Sequence, residues 1–183
     1  MTGRLVILSG PSGVGKDTVI NEWVRLNPRV ERVVAYTTRS PRVGEIPDVD
    51  YHFVSRDEFL KKAEAGDFLE YKLVYDNYYA TPLKDMEAML AAGKIAILKI
   101  DVQGALSAMQ LRPDAMSVFI LPPSEEELRR RIVERGSDEP EVVRKRLDQA
   151  LSEIAQSDQY RHRIVNDSVE NAVRQLEALV ANE

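Results

Sequence analysis

The stretch from Leu5 to Thr18 constrains this chain more than any other. Four apolar residues, Leu5-Val6-Ile7-Leu8, run through Ser9 into Gly10-Pro11-Ser12-Gly13-Val14-Gly15-Lys16-Asp17-Thr18, and a helical pattern follows. A strand entering a glycine-rich turn and then a helix is the setting of a phosphate-binding loop. Gly10 to Lys16 fit G-x-x-x-x-G-K, in which glycines let backbone N–H groups close around phosphate oxygens, the helix N-terminus adds its positive dipole end, and Lys16 reaches the outer phosphates. Gly10, Pro11, Ser12, Gly13, Val14, Gly15, Lys16, Asp17 and Thr18 are the expected nucleoside-triphosphate contacts. One position departs from the motif: Asp17 stands where a Ser or Thr hydroxyl would bind magnesium.

The remaining pattern alternates strands and helices. Thr18 to Asn27 reads as a helix with Val19, Trp23 and Leu26 on one stripe, and Glu31 to Tyr36 as a β-rich run. Thr37 to Ser55 is interrupted by Pro and Gly and crowded with Arg39, Arg42, Glu45, Asp50 and Tyr51, which fits either a ligand loop or a solvated turn. Arg56 to Gly66 predicts a helix, Phe68 to Tyr75 a strand carrying Glu70, and Asn77 to Pro82 a turn presenting two tyrosines. A helix over Leu83 to Ala92 follows, then a nearly continuous apolar strand, Lys94 to Ile100, of the kind buried in a parallel sheet. It ends in Asp101, which is placed either to help hold a metal ion or to cap the helix over Val102 to Leu111.

Met116 to Leu121 is another buried strand. Ser124-Glu125-Glu126-Glu127 is a capping box that opens a helix running to Arg135 and stopped by Gly136. Arg131 and Arg135 share a face of it, and Glu127 is spaced to pair with Arg131. Pro140 starts a second helix carrying Arg144, Lys145 and Arg146, with a hinge expected between Gly136 and Pro140. Arg163 to Val165 and Ser168 to Val180 close the chain as strand and helix. The order predicts an α/β fold: a parallel sheet with helices on both faces and one insertion.

At 183 residues the chain suits one such core with a small inserted subdomain. Its net charge of −5 argues against nucleic acid or an anionic membrane as a partner, so an anionic ligand must be held by local arginines. With no cysteine and two histidines, a disulfide framework, a thiol nucleophile and the usual zinc sites are excluded. No apolar run approaches the ~18 residues needed to span a bilayer, and a cytoplasmic location is expected.

The motifs GPSGVGK, TTRSPRVGE with DYHFVS, NYY followed by Ala-Thr, IDVQG and RRRIVERG, taken together and in this order, resemble guanylate kinase. The resemblance covers nearly the whole chain. It implies a P-loop NTPase-type core (1–36, 83–122 and 158–183), a GMP-binding subdomain (37–82) and a helical lid (123–157). The implied reaction moves the γ-phosphate of ATP to GMP, and to dGMP, with Mg²⁺. By resemblance Arg39, Arg42, Tyr51 and Tyr79 would bind the GMP phosphate, with Glu45 holding the arginines. Glu70, helped by Thr81 and Asp101, would select guanine. Lys16, Arg131, Arg135 and Arg146 would neutralise the moving phosphoryl group, and Asp17 and Asp101 would hold Mg²⁺, directly or through water. A monomer or weak homo-oligomer is expected.

Ala35, Asp48, Ala80 and Lys99 depart from the family pattern, Ala35 standing where a Ser often contacts the guanine oxygen, and Lys99 is expected to offset Asp17 or Asp101. Two other readings are a guanylate-kinase-like module that binds a partner without turnover, and a kinase for another monophosphate.

Overall fold

The computed structural model describes residues 2–134 and 139–182. It divides into two compact units, Met1–Ile7 with Arg29–Ala115 and Leu8–Pro28 with Met116–Glu183. The division falls within the first strand, β1 (Arg4–Ser9).

In the first unit parallel strands follow the order β2 (Val30–Arg32), β7 (Ile95–Lys99), β1, with Val30 opposite Ile95. Ile95 to Leu98 are buried, as expected for a strand covered on both faces. Helices α3 (Leu83–Ala91) and α4 (Val102–Leu111) flank β7 in the sequence. The same unit carries a second sheet, in the order β4 (His52–Phe53), β3 (Tyr36–Thr37), β6 (Asn77–Pro82), β5 (Phe68–Val74).

Strands β5 and β6 form an antiparallel hairpin pairing Glu70 with Thr81, Lys72 with Tyr79 and Leu73 with Tyr78. Opposed residues share a face and successive ones alternate. One face is aromatic: Phe59, fully buried on α2 (Arg56–Glu64), packs against Phe68 at 4.8 Å and Tyr78 at 5.1 Å between ring centroids. The other face presents Thr37, Glu70, Lys72, Tyr79 and Thr81.

Two sequence expectations change here. The segment Asn77 to Pro82 is a strand rather than a turn; the chain reverses one step earlier, where Tyr75 takes a left-handed backbone, φ 53°. The run Glu31 to Tyr36 splits because it passes from one sheet to the other, β2 pairing with β7 and β3 with β6.

The second unit has the strand order β1, β8 (Met116–Leu121), β9 (His162–Val165), with Val118 opposite His162. Helix α1 (Lys16–Leu26) meets the closing helix α7 (Val169–Asn182) through Trp23, which is fully buried and donates its indole N–H to Glu177. Helices α5 (Glu125–Glu134) and α6 (Pro140–Ile154) share a small core of Leu128, Ile132, Leu147 and Ala150. Half of the expected capping box is formed, Ser124 Oγ accepting from the Glu127 amide at 3.0 Å while the Glu127 carboxylate turns to Arg130 and Arg131, and Pro140 is at the start of α6. Arg135 and the expected hinge residues Gly136 to Asp138 lie outside the described residues. Among the described residues no helix is long and apolar enough to cross a membrane.

Candidate functional site

The glycine loop is built as its spacing requires. Gly13 and Gly15 have φ of 85° and 92°, a region that only glycine enters at little cost, and Gly15 caps α1. A Cβ at Gly10 would lie 2.7 Å from the Ile120 carbonyl oxygen, so its absence lets the loop settle onto β8. Lys16 folds back over the loop and donates from Nζ to the carbonyls of Gly10 and, at 3.1 Å, Pro11. Asp17 and Thr18 are exposed in the first turn of α1, where a carboxylate is favoured by the helix dipole.

Beside the loop is a pocket of about 340 Å³ lined by Gly13, Gly15, Thr18, Arg131, Asn166 and Asp167 among others. Arg131 serves two partners: Nε donates to Glu127 at 2.9 Å, the pairing its spacing allows, and Nη1 donates to the Val14 carbonyl at 3.3 Å. Glu127, held also by Arg130, has its carboxyl pulled down to about 2 by these guanidinium hydrogen bonds. Arg146 is exposed on α6.

Asn166 is a residue the sequence did not single out. It is buried just after β9, donates from Nδ2 to the same Val14 carbonyl at 2.8 Å, and its Oδ1 is buried without a partner. Nothing in the local pattern marks it, because an Asn after a strand reads as an ordinary turn residue and its partner lies 152 positions away.

In the first unit, Arg39 and Glu45 form a two-pronged pair, Nη1 and Nη2 each donating to one carboxylate oxygen at 2.9 Å. The same carboxylate accepts the Arg42 backbone N–H at 2.7 Å, so Glu45 holds Arg39 by its guanidinium and Arg42 by its main chain. Hydrogen bonding to Arg39 pulls the Glu45 carboxyl down to about 2, while Glu45 and Tyr79 hold the guanidinium pKa above its ordinary value. The Arg39 guanidinium also lies over the Tyr51 ring at 5.4 Å, and its Nε is buried without a partner. Tyr51 and Tyr79 meet edge-on at 6.1 Å.

The loop between Arg39 and Tyr51 explains one departure. Asp48 has a left-handed backbone, φ 65°, a position that suits glycine, and its Oδ1 is 2.7 Å from Nδ1 of His52.

At the other end of that sheet face, Glu70 is buried and accepts from the Thr81 hydroxyl at 2.8 Å. Burial pushes its carboxyl up to about 7; the Thr81 hydrogen bond opposes the rise, the Asp101 carboxylate adds to it, and the Lys72 ammonium opposes it. Asp101 caps α4, its Oδ1 accepting from the Gly104 amide at 2.8 Å, which realises the capping alternative. A Cβ at Gly104 would lie 3.0 Å from Asp101 Oδ1 and 3.5 Å from Glu70 Oε2, so the glycine leaves room for both carboxylates.

The comparisons with known proteins agree with one another. The family model described as guanylate kinase matches residues 2–183. A guanylate kinase of Clostridium perfringens is 45% identical over 181 residues, covering 99% of this chain and 84% of that protein. Another, of Alkalilimnicola ehrlichii, is 45% identical over 179 residues, covering 98% and 88%. The crystal structure of guanylate kinase from Anaplasma phagocytophilum superposes with a TM-score of 0.80 at 34% identity, covering 99% of this chain and 86% of that one.

Proposed function

The chain belongs to the guanylate kinase family, and from that premise we propose how its own residues divide the transfer of a phosphoryl group from ATP to GMP. The loop Gly10 to Thr18 and the pocket beside it take ATP: backbone N–H groups and Lys16 hold the phosphates, and the unpartnered Oδ1 of Asn166 supplies an acceptor in that pocket. Arg39, Arg42, Tyr51 and Tyr79 take the GMP phosphate. Glu70 accepts from guanine N1–H and the 2-amino group, which adenine cannot match, and a site left with an unpaired carboxylate discriminates by roughly four to five orders of magnitude. The Thr81 hydroxyl keeps Glu70 oriented, and Asp101 assists as a further acceptor for the base; dGMP, which has the same base and phosphate, is accepted too.

The γ-phosphoryl group passes to a phosphate oxygen of GMP and ADP leaves, a reaction that needs positioned positive charge rather than a covalent partner. Lys16, Arg131, Arg135 and Arg146 supply it, and Arg131 exchanges its Val14 and Glu127 contacts for phosphate. Mg²⁺ takes oxygen ligands, keeps several waters and commonly needs only one or two carboxylates beside the substrate phosphates. Asp17, exposed at the helix start, fits that demand. Asp101 has Oδ1 engaged by Gly104 and offers its second oxygen. Among the described residues no cluster of three or more His, Cys, Asp or Glu forms a cage, and Mg²⁺ held in this way requires none. When bound it neutralises charge on the transferring phosphates.

The observation that carries this reading is a buried carboxylate, Glu70, on the sheet face that also presents Tyr79, together with a guanidinium with an unfilled donor, Arg39, in the segment that leaves β3. A coupled assay of ADP release with GMP, dGMP, AMP and UMP tests it. Release is expected with GMP and dGMP only, and equal rates with AMP would overturn it.

A further inference from the structure

Lys72 lies on the working face of the second sheet, opposite Tyr79 and two residues from Glu70, so its side chain projects to the same side as both. Unlike its exposed neighbours Tyr71 and Leu73 on the opposite face, it is only half-exposed, and among the described residues its ammonium makes no hydrogen bond or ion pair. Lysine stems fill space while the charged head seeks a partner, and a half-covered ammonium on a ligand face has one available when the ligand arrives.

The chemistry of the Glu70 end says which ligand atom that is. Glu70 and Asp101 are acceptors, and the Thr81 hydroxyl already gives its proton to Glu70. Position 35 carries only a methyl group. The base that Glu70 selects presents donors at N1 and the 2-amino group but, directly beside them, an acceptor, O6. An acceptor-rich pocket would leave O6 unpaired, whereas an ammonium on the same face satisfies it.

We propose that Lys72 is a guanine-binding and specificity-determining residue, its Nζ donating to O6 of the base while Glu70 accepts from N1 and the 2-amino group. The ammonium also acts against the wrong substrate, because adenine places an amino donor where guanine has O6, and two donors repel. The charge of Lys72 is felt at Glu70, which fits the placement: the ammonium favours the ionised Glu70 that the base requires. This inference rests on the GMP reading above.

The test compares wild type with Lys72→Met, which keeps the length of the stem. Binding of GMP, IMP and 2-aminopurine riboside 5′-monophosphate is measured by calorimetry well above the pH of about 7 at which Glu70 ionises, with melting temperature as a check on folding. Wild type binding GMP without binding AMP establishes the GMP reading independently of Lys72. Lys72→Met is then expected to lose about tenfold or more in affinity for GMP and IMP, which carry O6, and little for the 2-aminopurine nucleotide, which keeps the phosphate and 2-amino group but lacks O6 and with it the N1–H, and so binds both proteins more weakly through Glu70. GMP affinity within twofold of wild type would overturn the assignment. An equal loss with all three nucleotides would also overturn it, since it would place the ammonium on the phosphate. If Lys72→Met melts well below wild type, Lys72→Arg decides instead: retention of the GMP-over-AMP preference supports the role and its loss overturns it.

Discussion

If Glu70 holds guanine as proposed, GMP binding depends on pH in a direction that can be worked out in advance. Its carboxyl has a pKa of about 7 against 4.5 for an ordinary glutamate, raised first by burial and then by Asp101, and opposed by the Thr81 hydroxyl and the Lys72 ammonium. Guanine N1–H and its amino group need the ionised form as acceptor. The competent fraction is about one tenth at pH 6 and about nine tenths at pH 8, so apparent GMP affinity should strengthen roughly tenfold across that interval and level off above it. The phosphate of GMP itself titrates near pH 6 and adds about a twofold change, which Glu70→Gln retains while losing the rest.

The same shift governs stability with the opposite sense. Between about pH 4.5 and 7 the folded protein keeps a proton on Glu70 that the unfolded chain has released, so stability falls as pH rises through that window. The full cost of ionising Glu70 in place is of order 3 kcal/mol. Glu70→Gln should therefore match wild type at pH 4 and be more stable at pH 8, by denaturant midpoint, while losing guanine selection. The measurement is calorimetric GMP affinity for both proteins from pH 6 to 8. A ratio of the two affinities that does not change with pH would refute the reasoning, whatever the absolute affinities.

Other outcomes follow from individual contacts. Glu45→Gln removes the two-pronged acceptor from Arg39 and should weaken GMP binding by about tenfold with kcat less affected, since the pair orients a binding group; unchanged KM for GMP would count against it. Arg131→Ala and Arg135→Ala should each lower kcat far more than GMP affinity, and an unchanged kcat would return Arg131 to a purely structural pairing with Glu127. Asn166→Ala removes one of the two donors to the Val14 carbonyl and should raise KM for ATP while leaving KM for GMP near wild type; equal rises in both would indicate general loosening. Asp48→Gly trades the His52 contact for relief of the left-handed backbone and should stay within about 1 kcal/mol of wild type, whereas Asp48→Val, which gains neither, should be clearly less stable by urea midpoint.

The sequence was most legible where the decisive contacts are local. The glycine loop, the strand Met116–Leu121, the helix Val102–Leu111 and the Ser124 cap are set by neighbours within a few residues, through apolar runs, backbone freedom and capping side chains. It was misleading at Asn77 to Pro82, where Asn, two Tyr and Pro suggested a turn but pairing with β5 made a strand. Asn166 and Lys72 were passed over for a related reason. One acts through a carbonyl far away in the chain, and the other reads as a solvated strand residue until the hairpin register sets it opposite Tyr79 on the face that carries Glu70. Asp48 was visible as a departure from the family pattern, but its positive φ and its bond to His52 became apparent only in three dimensions.

The Val14 carbonyl, which accepts from both Asn166 and Arg131, has a consequence on the far side of its own peptide group. The oxygen belongs to the unit that carries the Gly15 N–H, and donors that draw electron density toward the oxygen make that N–H more acidic. Hydrogen bonds linked through one peptide strengthen each other by about 10–30% per bond. Two side chains from separate elements thus act as remote electron-withdrawing groups on the phosphate loop. The amide becomes a better donor to an anion without any side chain entering the space the anion would fill.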